Sequence, residues 1–299
     1  MRILITGASG MLGATMVKML SKKFTVFGTG NSEYESIECE YKIFDLLNDN
    51  YDELINWSNP DLIIHSGALT NVNYCEENPL EAFNINGLSV KKLIDASNDS
   101  VKIIYISTDA VFPSERHMAK EVDSVFPENI YGKSKELGEF FLLTSNRSYT
   151  IIRTTIVGLN ENNKKLGFLE WIINSAIKNV AINLFVDVLF NPISIWDLTN
   201  EITYLIENDK ISSEILHIAG NSFCTKHEFA ISALKELGLS EACIKKGSIL
   251  DFPDSAKRCV DQSLNSSFYQ QKYKRILPNL KQTVNTIRKY YNEENQIRK

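Results

Sequence analysis

Through the first half of the chain, hydrophobic positions come in short, nearly unbroken runs separated by segments of helical period. The runs fall at residues 3–5, 24–27, 42–44, 62–65, 103–107 and 149–153, with a late one at 215–218. Runs with so few polar interruptions predict strands buried on both faces, which implies a parallel sheet covered by helices on either side. Between them, Leu12, Met16, Val17, Met19 and Leu20 recur at helical spacing. Residues 79–95 predict a second helix with Leu80, Phe83, Leu88, Leu93 and Ile94 on its apolar side. Residues 129–143 predict a third with Leu137, Phe140 and Phe141 inward, and Phe168, Trp171 and Ile172 read as the core of a later helix. A polar loop at 160–166 leads out of the sheet, and the run near 216 brings the chain back before it leaves again. The expected fold class is α/β: a doubly wound parallel sheet with a smaller, discontinuous α/β domain. The expected boundaries are 1–157 plus 187–218 for the first domain, and 158–186 plus 219–299 for the second.

The turn after the first run carries the sharpest local signal. Gly7, Gly10 and Gly13 punctuate the passage from strand to helix. Gly7 allows a tight turn, Gly10 lets backbone approach a pyrophosphate, and Gly13 lets the helix pack close to the strand. A helix N-terminus there offers unpaired N–H groups and a positive dipole end to phosphates. This is the opening of a dinucleotide-binding, Rossmann-type unit.

A second constellation falls where the carboxyl ends of the strands open. The run 103–107 ends in Ser107, Thr108 and Asp109, and Tyr131 and Lys135 follow on the predicted helix. At i and i+4, Tyr131 and Lys135 project from one face about 5–6 Å apart. A lysine ammonium that close is expected to lower the tyrosine pKa, so that the phenol exchanges a proton with a carbonyl or alcohol oxygen. Thr108 can hold the same oxygen in place.

Composition narrows the classes without adding chemistry. Across 299 residues, 43% are hydrophobic and 23% charged, ordinary for a globular protein, and the net charge of −5 argues against nucleic-acid binding. Cys39, Cys75, Cys224, Cys243 and Cys259 lie far apart with no C-x-x-C pair, which fits a reducing cytoplasm and no structural zinc. No stretch approaches the roughly 18 apolar residues of a membrane span. No ligand cluster for a metal stands out. His65 reads as a satisfied core or cleft residue, and His217 and His227 as structural.

These segments, in this order, resemble the extended short-chain dehydrogenases/reductases, and within them the dTDP-4-dehydrorhamnose reductase group. The stretch Thr6-Gly7-Ala8-Ser9-Gly10-Met11-Leu12-Gly13 is similar to that family's phosphate loop. Residues 61–76 resemble its fourth strand and following loop, residues 84–87 a helix segment with an asparagine near the active site, and residues 107–112 and 131–139 its catalytic segments. Residues 152–158, 217–220 and 258–264 are similar to its later landmarks. The resemblance implies reduction of the 4-keto group of a nucleotide-activated 4-keto-6-deoxy sugar. Tyr131 would be the general acid, Lys135 would hold the nicotinamide ribose and depress the tyrosine pKa, and Thr108 would position the carbonyl. It implies cofactor contacts from Gly7, Ser9, Gly10, Met11, Leu12, Asp45, Leu46, Ser66, Gly67, Ala68 and Thr70, besides Tyr131 and Lys135. Substrate contacts are implied for Thr70, Val72, Asn86, Thr108, Asp109, Phe168 and Arg258. A homodimer is implied as well.

Three departures touch substrate recognition: Ala110 where the family often has tyrosine, Ile156 where it often has tryptophan, and Cys259 where it often has proline. Ala110 also disfavours dehydration, since related dehydratases use a glutamate there. Residues 28–32 carry neither the acid that grips a ribose 2′-OH nor an arginine for a 2′-phosphate, so NADP or NAD is expected, with a lean to NADPH. Two alternatives stay open at this point: a non-catalytic NAD(P)-binding regulatory subunit and a sugar-nucleotide epimerase.

Overall fold

The computed structural model describes residues 1–34, 38–161, 166–251 and 256–297. Most of the loop expected at 160–166 therefore lies outside the described residues. The first six strands are β1 (Arg2–Thr6), β2 (Thr25–Gly30), β3 (Glu40–Ile43), β4 (Leu62–His65), β5 (Lys102–Thr108) and β6 (Tyr149–Thr154). With the late strand Glu214–His217 they form one seven-stranded sheet in the order Glu214–His217, β6, β5, β4, β1, β2, β3. All of its pairings are parallel. Ile3, Leu4, Ile5, Ile63, Ile64, Ile104, Ile151 and Ile152 are buried, as strands covered on both faces require.

Helix α1 (Met11–Leu20) packs against the helix Ile195–Glu207 on one face of the sheet. On the other face the helices Tyr51–Ser58, Ser89–Ala96 and Ile130–Leu143 pack side by side. Strand order reverses between β1 and β4, and the crevice beyond their carboxyl ends is where such sheets take ligands. The remaining chain builds a smaller α/β layer. The helices Phe168–Lys178 and Lys226–Glu236 pack on each other, and the latter covers the parallel pair Ile182–Phe185 and Ile244–Gly247. A short sheet joins Cys224–Thr225, Leu189–Phe190 and Asp261–Gln262.

Two helices depart from the apolar faces expected of them. The segment 79–95 is broken into Pro79–Ala82, a π-helical turn Phe83–Leu88, and Ser89–Ala96. A π turn inserts an extra residue and shifts the phase of every side chain beyond it. Leu80, at 79% exposure, and Leu88 face solvent, while Asn86 and Gly87 turn inward. On Ile130–Leu143 the buried residues are Gly132, Ser134, Lys135, Gly138, Glu139 and Leu142, and Phe140 is exposed. Leu137 packs against Gly87 and Phe141 against the core, as expected, so Phe140 alone departs, and the fully buried positions between them are largely polar or small. Trp171, expected in the core, is also largely exposed, while its neighbour Ile172 is buried. A short helix, Val72–Glu77, precedes the broken one and left no periodic signal.

Candidate active site

One cavity of about 740 Å³ runs across the carboxyl ends of the strands. Its wall includes Gly7, Ser9, Gly10, Met11 and Leu12 from the first turn, Asp45 and Leu46 after β3, and Ser66, Gly67, Ala68 and Thr70 after β4. Thr108, Asp109, Tyr131 and Lys135 line the same space. Four other residues expected at the site stand elsewhere. Asn86 is fully buried behind the wall, where its amide bonds the Leu69 backbone through both Oδ1 (2.7 Å) and Nδ2 (3.0 Å), and donates to Ser134 Oγ at 2.9 Å. Val72 begins a helix outside the wall, Arg258 is exposed, and Phe168 stands behind Lys226, whose ammonium lies 5.6 Å from its ring centroid.

The glycine turn is shaped for close approach. Gly7 has φ of +70°, and a Cβ there would lie 2.6 Å from Gly67 Cα. A Cβ at Gly13 would lie 2.1 Å from Gly7 O. Gly10 caps α1 with no side-chain hydrogen bond, and the first helical bond runs from Ala14 N to Gly10 O at 2.9 Å. The N–H groups of Met11, Leu12 and Gly13 therefore have no helical acceptor and face the cavity at the positive end of the dipole. That cradle fits the diphosphate of a dinucleotide. Behind it, Thr6 Oγ1 bonds His65 Nδ1 at 2.6 Å and accepts from Gly67 N at 3.2 Å, while His65 Nε2 meets Ser89 Oγ at 3.0 Å. Burial, with Lys135 nearby, pulls the His65 pKa down to about 3, so the ring is a neutral strut between loop and helix.

At the other end, Asn129 caps the helix Ile130–Leu143 by accepting from Gly132 N at 2.8 Å, and Glu76 Oε1 accepts from Ile130 N at 2.7 Å. Lys135 is buried, donates to Ile106 O at 2.7 Å and lies 4.0 Å from the Tyr105 ring centroid. Burial pulls its pKa down to about 7, against a raising influence from Glu139. Burial pushes the Tyr131 phenol up; its hydrogen bond with Thr108 opposes this, and Asp109 and Cys75 add to it. The depression of Tyr131 expected from Lys135 is thus not what the structure gives. A lysine that is itself desolvated carries too little charge to outweigh the burial of the phenol. The result is a neutral phenol, the form that donates a proton. Thr108 Oγ1 donates to Asp109 Oδ1 at 2.8 Å and accepts from Ala110 N at 3.1 Å, and Thr155 donates to Asp109 Oδ2 at 2.8 Å. Beneath them, Glu139 receives Ser107 Oγ at 2.5 Å and the Arg153 guanidinium at 2.6 and 3.0 Å, all three residues being buried.

The whole chain matches a known family. The model of that family, described as the RmlD substrate binding domain, covers residues 1–292. The chain belongs to the RmlD family. A dTDP-4-dehydrorhamnose reductase of Aggregatibacter actinomycetemcomitans is 27% identical over 285 residues, 91% of this chain and 93% of the relative. A solved structure from Sulfolobus tokodaii, described as a hypothetical dTDP-4-dehydrorhamnose reductase, is 32% identical, covers 91% of this chain and 94% of its own, and superposes with a TM-score of 0.80. The dTDP-4-dehydrorhamnose reductase of Bacillus anthracis, solved in complex with NADP, is 25% identical, with 96% and 98% covered and a TM-score of 0.80. The RmlD-family fold is thus the extended reductase/dehydratase architecture that the strand order describes.

Sequence reasoning missed Lys226, Gln262, Thr154 and Thr155 in the cavity wall of this RmlD-family protein. Lys226 left a readable sign, a lysine in the first position after the helix cap Thr225, where the dipole disfavours cations. The other three left none, because they reach the cleft only through the sheet's topology. No helix of the described residues is long and apolar enough to cross a membrane, and no group of three or more His, Cys, Asp or Glu among them could hold a metal ion.

Proposed function

We propose that this RmlD-family protein is an NAD(P)H-dependent oxidoreductase that reduces the 4-keto group of a nucleotide-activated 4-keto-6-deoxy sugar, with Tyr131 as the general acid. The observation that carries this reading is that Tyr131, Thr108, Lys135 and the glycine turn line one cavity, where burial favours the protonated Tyr131 phenol. The names of the relatives support the substrate class, and the NADP complex of the Bacillus anthracis relative supports the cofactor. NADPH is the preferred form on this reading, because no carboxylate stands in residues 28–32 to repel a 2′-phosphate.

When bound, the reduced nicotinamide supplies the hydride. Met11, Leu12 and Gly13 N–H groups hold the diphosphate. Thr108, once its hydroxyl turns from Asp109 to the ligand, would fix the carbonyl oxygen by a hydrogen bond, and Tyr131 would donate its phenolic proton to that oxygen as charge develops on it. Lys135, tied to Ile106 O, would hold the nicotinamide ribose with its remaining protons. Residues 1–157 with 187–218 supply this machinery, and residues 158–186 with 219–299 close over the sugar.

The test is oxidation of NADPH and NADH, followed by absorbance, with dTDP-, UDP- and GDP-linked 4-keto-6-deoxyhexoses. Tyr131→Phe should lose about 10²- to 10⁴-fold in kcat, the usual contribution of a positioned acid, with little change in cofactor affinity. Full activity in that variant would refute the assignment. Cofactor binding without any turnover would favour a non-catalytic subunit, and product without net oxidation would favour an epimerase.

A further inference from the structure

Lys226 stands where three forces act against a cation. It is the first residue of the helix Lys226–Glu236, at the positive end of its dipole. It lines the central cavity, and burial pulls its pKa down to about 8, Asp109 and Cys224 opposing this and Arg258 adding to it. Its ammonium sits 3.4 Å from the centroid of the Phe190 ring and 5.6 Å from that of Phe168, which return only part of the lost hydration. The acids that could compensate it are engaged elsewhere. Glu228, two residues along, accepts from Thr225 N at 2.8 Å and Thr225 Oγ1 at 3.0 Å in a capping box. Asp109 is buried, and each of its oxygens already accepts a hydroxyl, from Thr108 and from Thr155. The Lys226 ammonium itself makes no hydrogen bond and no ion pair among the described residues.

A cation held in a cleft wall against its own solvation, with donors to spare, is complementary to an anion that arrives with a ligand. We infer that Lys226 is a specificity-determining residue that receives an oxyanion of the substrate. The inference deepens the nucleotide-sugar reading and rests on it. A nucleotide-linked 6-deoxy sugar carries that oxyanion in its diphosphate, whereas a ring carboxylate would make the sugar a uronate and move the substrate class of the reading. Both meet an ammonium in the same way, through charge-assisted hydrogen bonds.

Calorimetric titration of the NADP-loaded protein separates the sources, with dTDP, UDP and GDP as diphosphate probes and UDP-glucuronate against UDP-glucose as the carboxylate pair. If the diphosphate is the ligand, Lys226→Met weakens the tightest nucleoside diphosphate by about 10- to 100-fold, one charge-assisted hydrogen bond, and Lys226→Arg restores most of it. If a ring carboxylate is the ligand, the diphosphates bind Lys226→Met as well as wild type, while the preference for UDP-glucuronate over UDP-glucose disappears. Unchanged binding in both series overturns the inference, as does an equal loss in the Met and Arg variants with a matching fall in melting temperature. Wild-type protein that binds none of the probes overturns the nucleotide-sugar reading itself, a result distinct from binding that ignores the substitution.

Discussion

Replacing Glu139 by glutamine should damage both the fold and the site, for reasons that can be read separately. Glu139 and Arg153 form an ion pair at 2.6 Å with side chains only 2% and 3% exposed. Among the described residues Arg153 Nη1 has no hydrogen-bond partner, so Glu139 supplies the guanidinium's hydrogen-bonded counter-charge, with the Phe112 ring centroid 4.9 Å away. In Glu139→Gln the buried charge stays and its counter-charge goes, and the new amide turns a donor toward a donor. Breaking a buried pair from one side costs about 3–5 kcal/mol. For a chain of this size that corresponds to a fall of about 5–8 °C in melting temperature. The same carboxylate raises the pKa of Lys135 against the downward pull of burial. Its loss moves Lys135 further below about 7 and leaves the amine neutral at physiological pH. NADPH affinity should then fall, and fall more at pH 8 than at pH 6. Melting curves and cofactor titrations at the two pH values check the two effects. The double variant Glu139→Gln/Arg153→Met should recover much of the stability, since the stranded charge is gone, but not the cofactor affinity. A Glu139→Gln protein that melts within about 1 kcal/mol of wild type and binds NADPH normally would refute the reasoning.

Gly13→Ala places a methyl 2.1 Å from Gly7 O, a backbone atom that cannot step aside, so cofactor-induced stabilisation in a thermal shift assay should vanish and stability should fall by about 1–3 kcal/mol or more. Asn86→Leu removes three hydrogen bonds and strands the Leu69 backbone groups, costing about 2–4 kcal/mol in urea unfolding. The pKa of His217 is pulled down to about 3, by burial first and Arg153 second, so between pH 6.5 and 3 the unfolded chain binds a proton that the folded one refuses. Stability must therefore fall as pH drops through that window, and in His217→Gln the slope should be shallower by up to about 1.4 kcal/mol per pH unit.

The parts of the molecule legible from sequence are those where one local rule decides. The strands announced themselves because burial on both faces leaves no room for polar residues, and the glycine turn because Gly7 and Gly13 answer steric demands with no alternative. The pair Tyr131 and Lys135 was legible because its i, i+4 spacing falls on a helix that follows the strand-ending Ser107 and Thr108. What escaped depends on the fold as a whole. The π turn at Phe83–Leu88 put Leu80 and Leu88 in solvent and Asn86 inside while Leu93 stayed buried, and the polar buried positions of Ile130–Leu143 carry no hydrophobic signal. The direction of the Tyr131 shift was misjudged because spacing reveals a neighbouring charge but not the desolvation of either group. Lys226 enters the cleft from a helix more than a hundred residues downstream of Thr108, a distance no pattern of local periodicity spans.

The return of the chain through the strand Glu214–His217 separates the two sides of the cleft along the gene as well as in space. Thr108, Tyr131 and Lys135 lie before that strand, and Lys226 and Gln262, which line the same cavity, lie after it. On the proposed function, mutation in the last third of the chain would remodel what is gripped while leaving the machinery of reduction untouched. Such a layout lets a lineage explore new sugars without passing through inactive intermediates. It also marks residues 219–262 as the cassette to exchange when retargeting the enzyme by design.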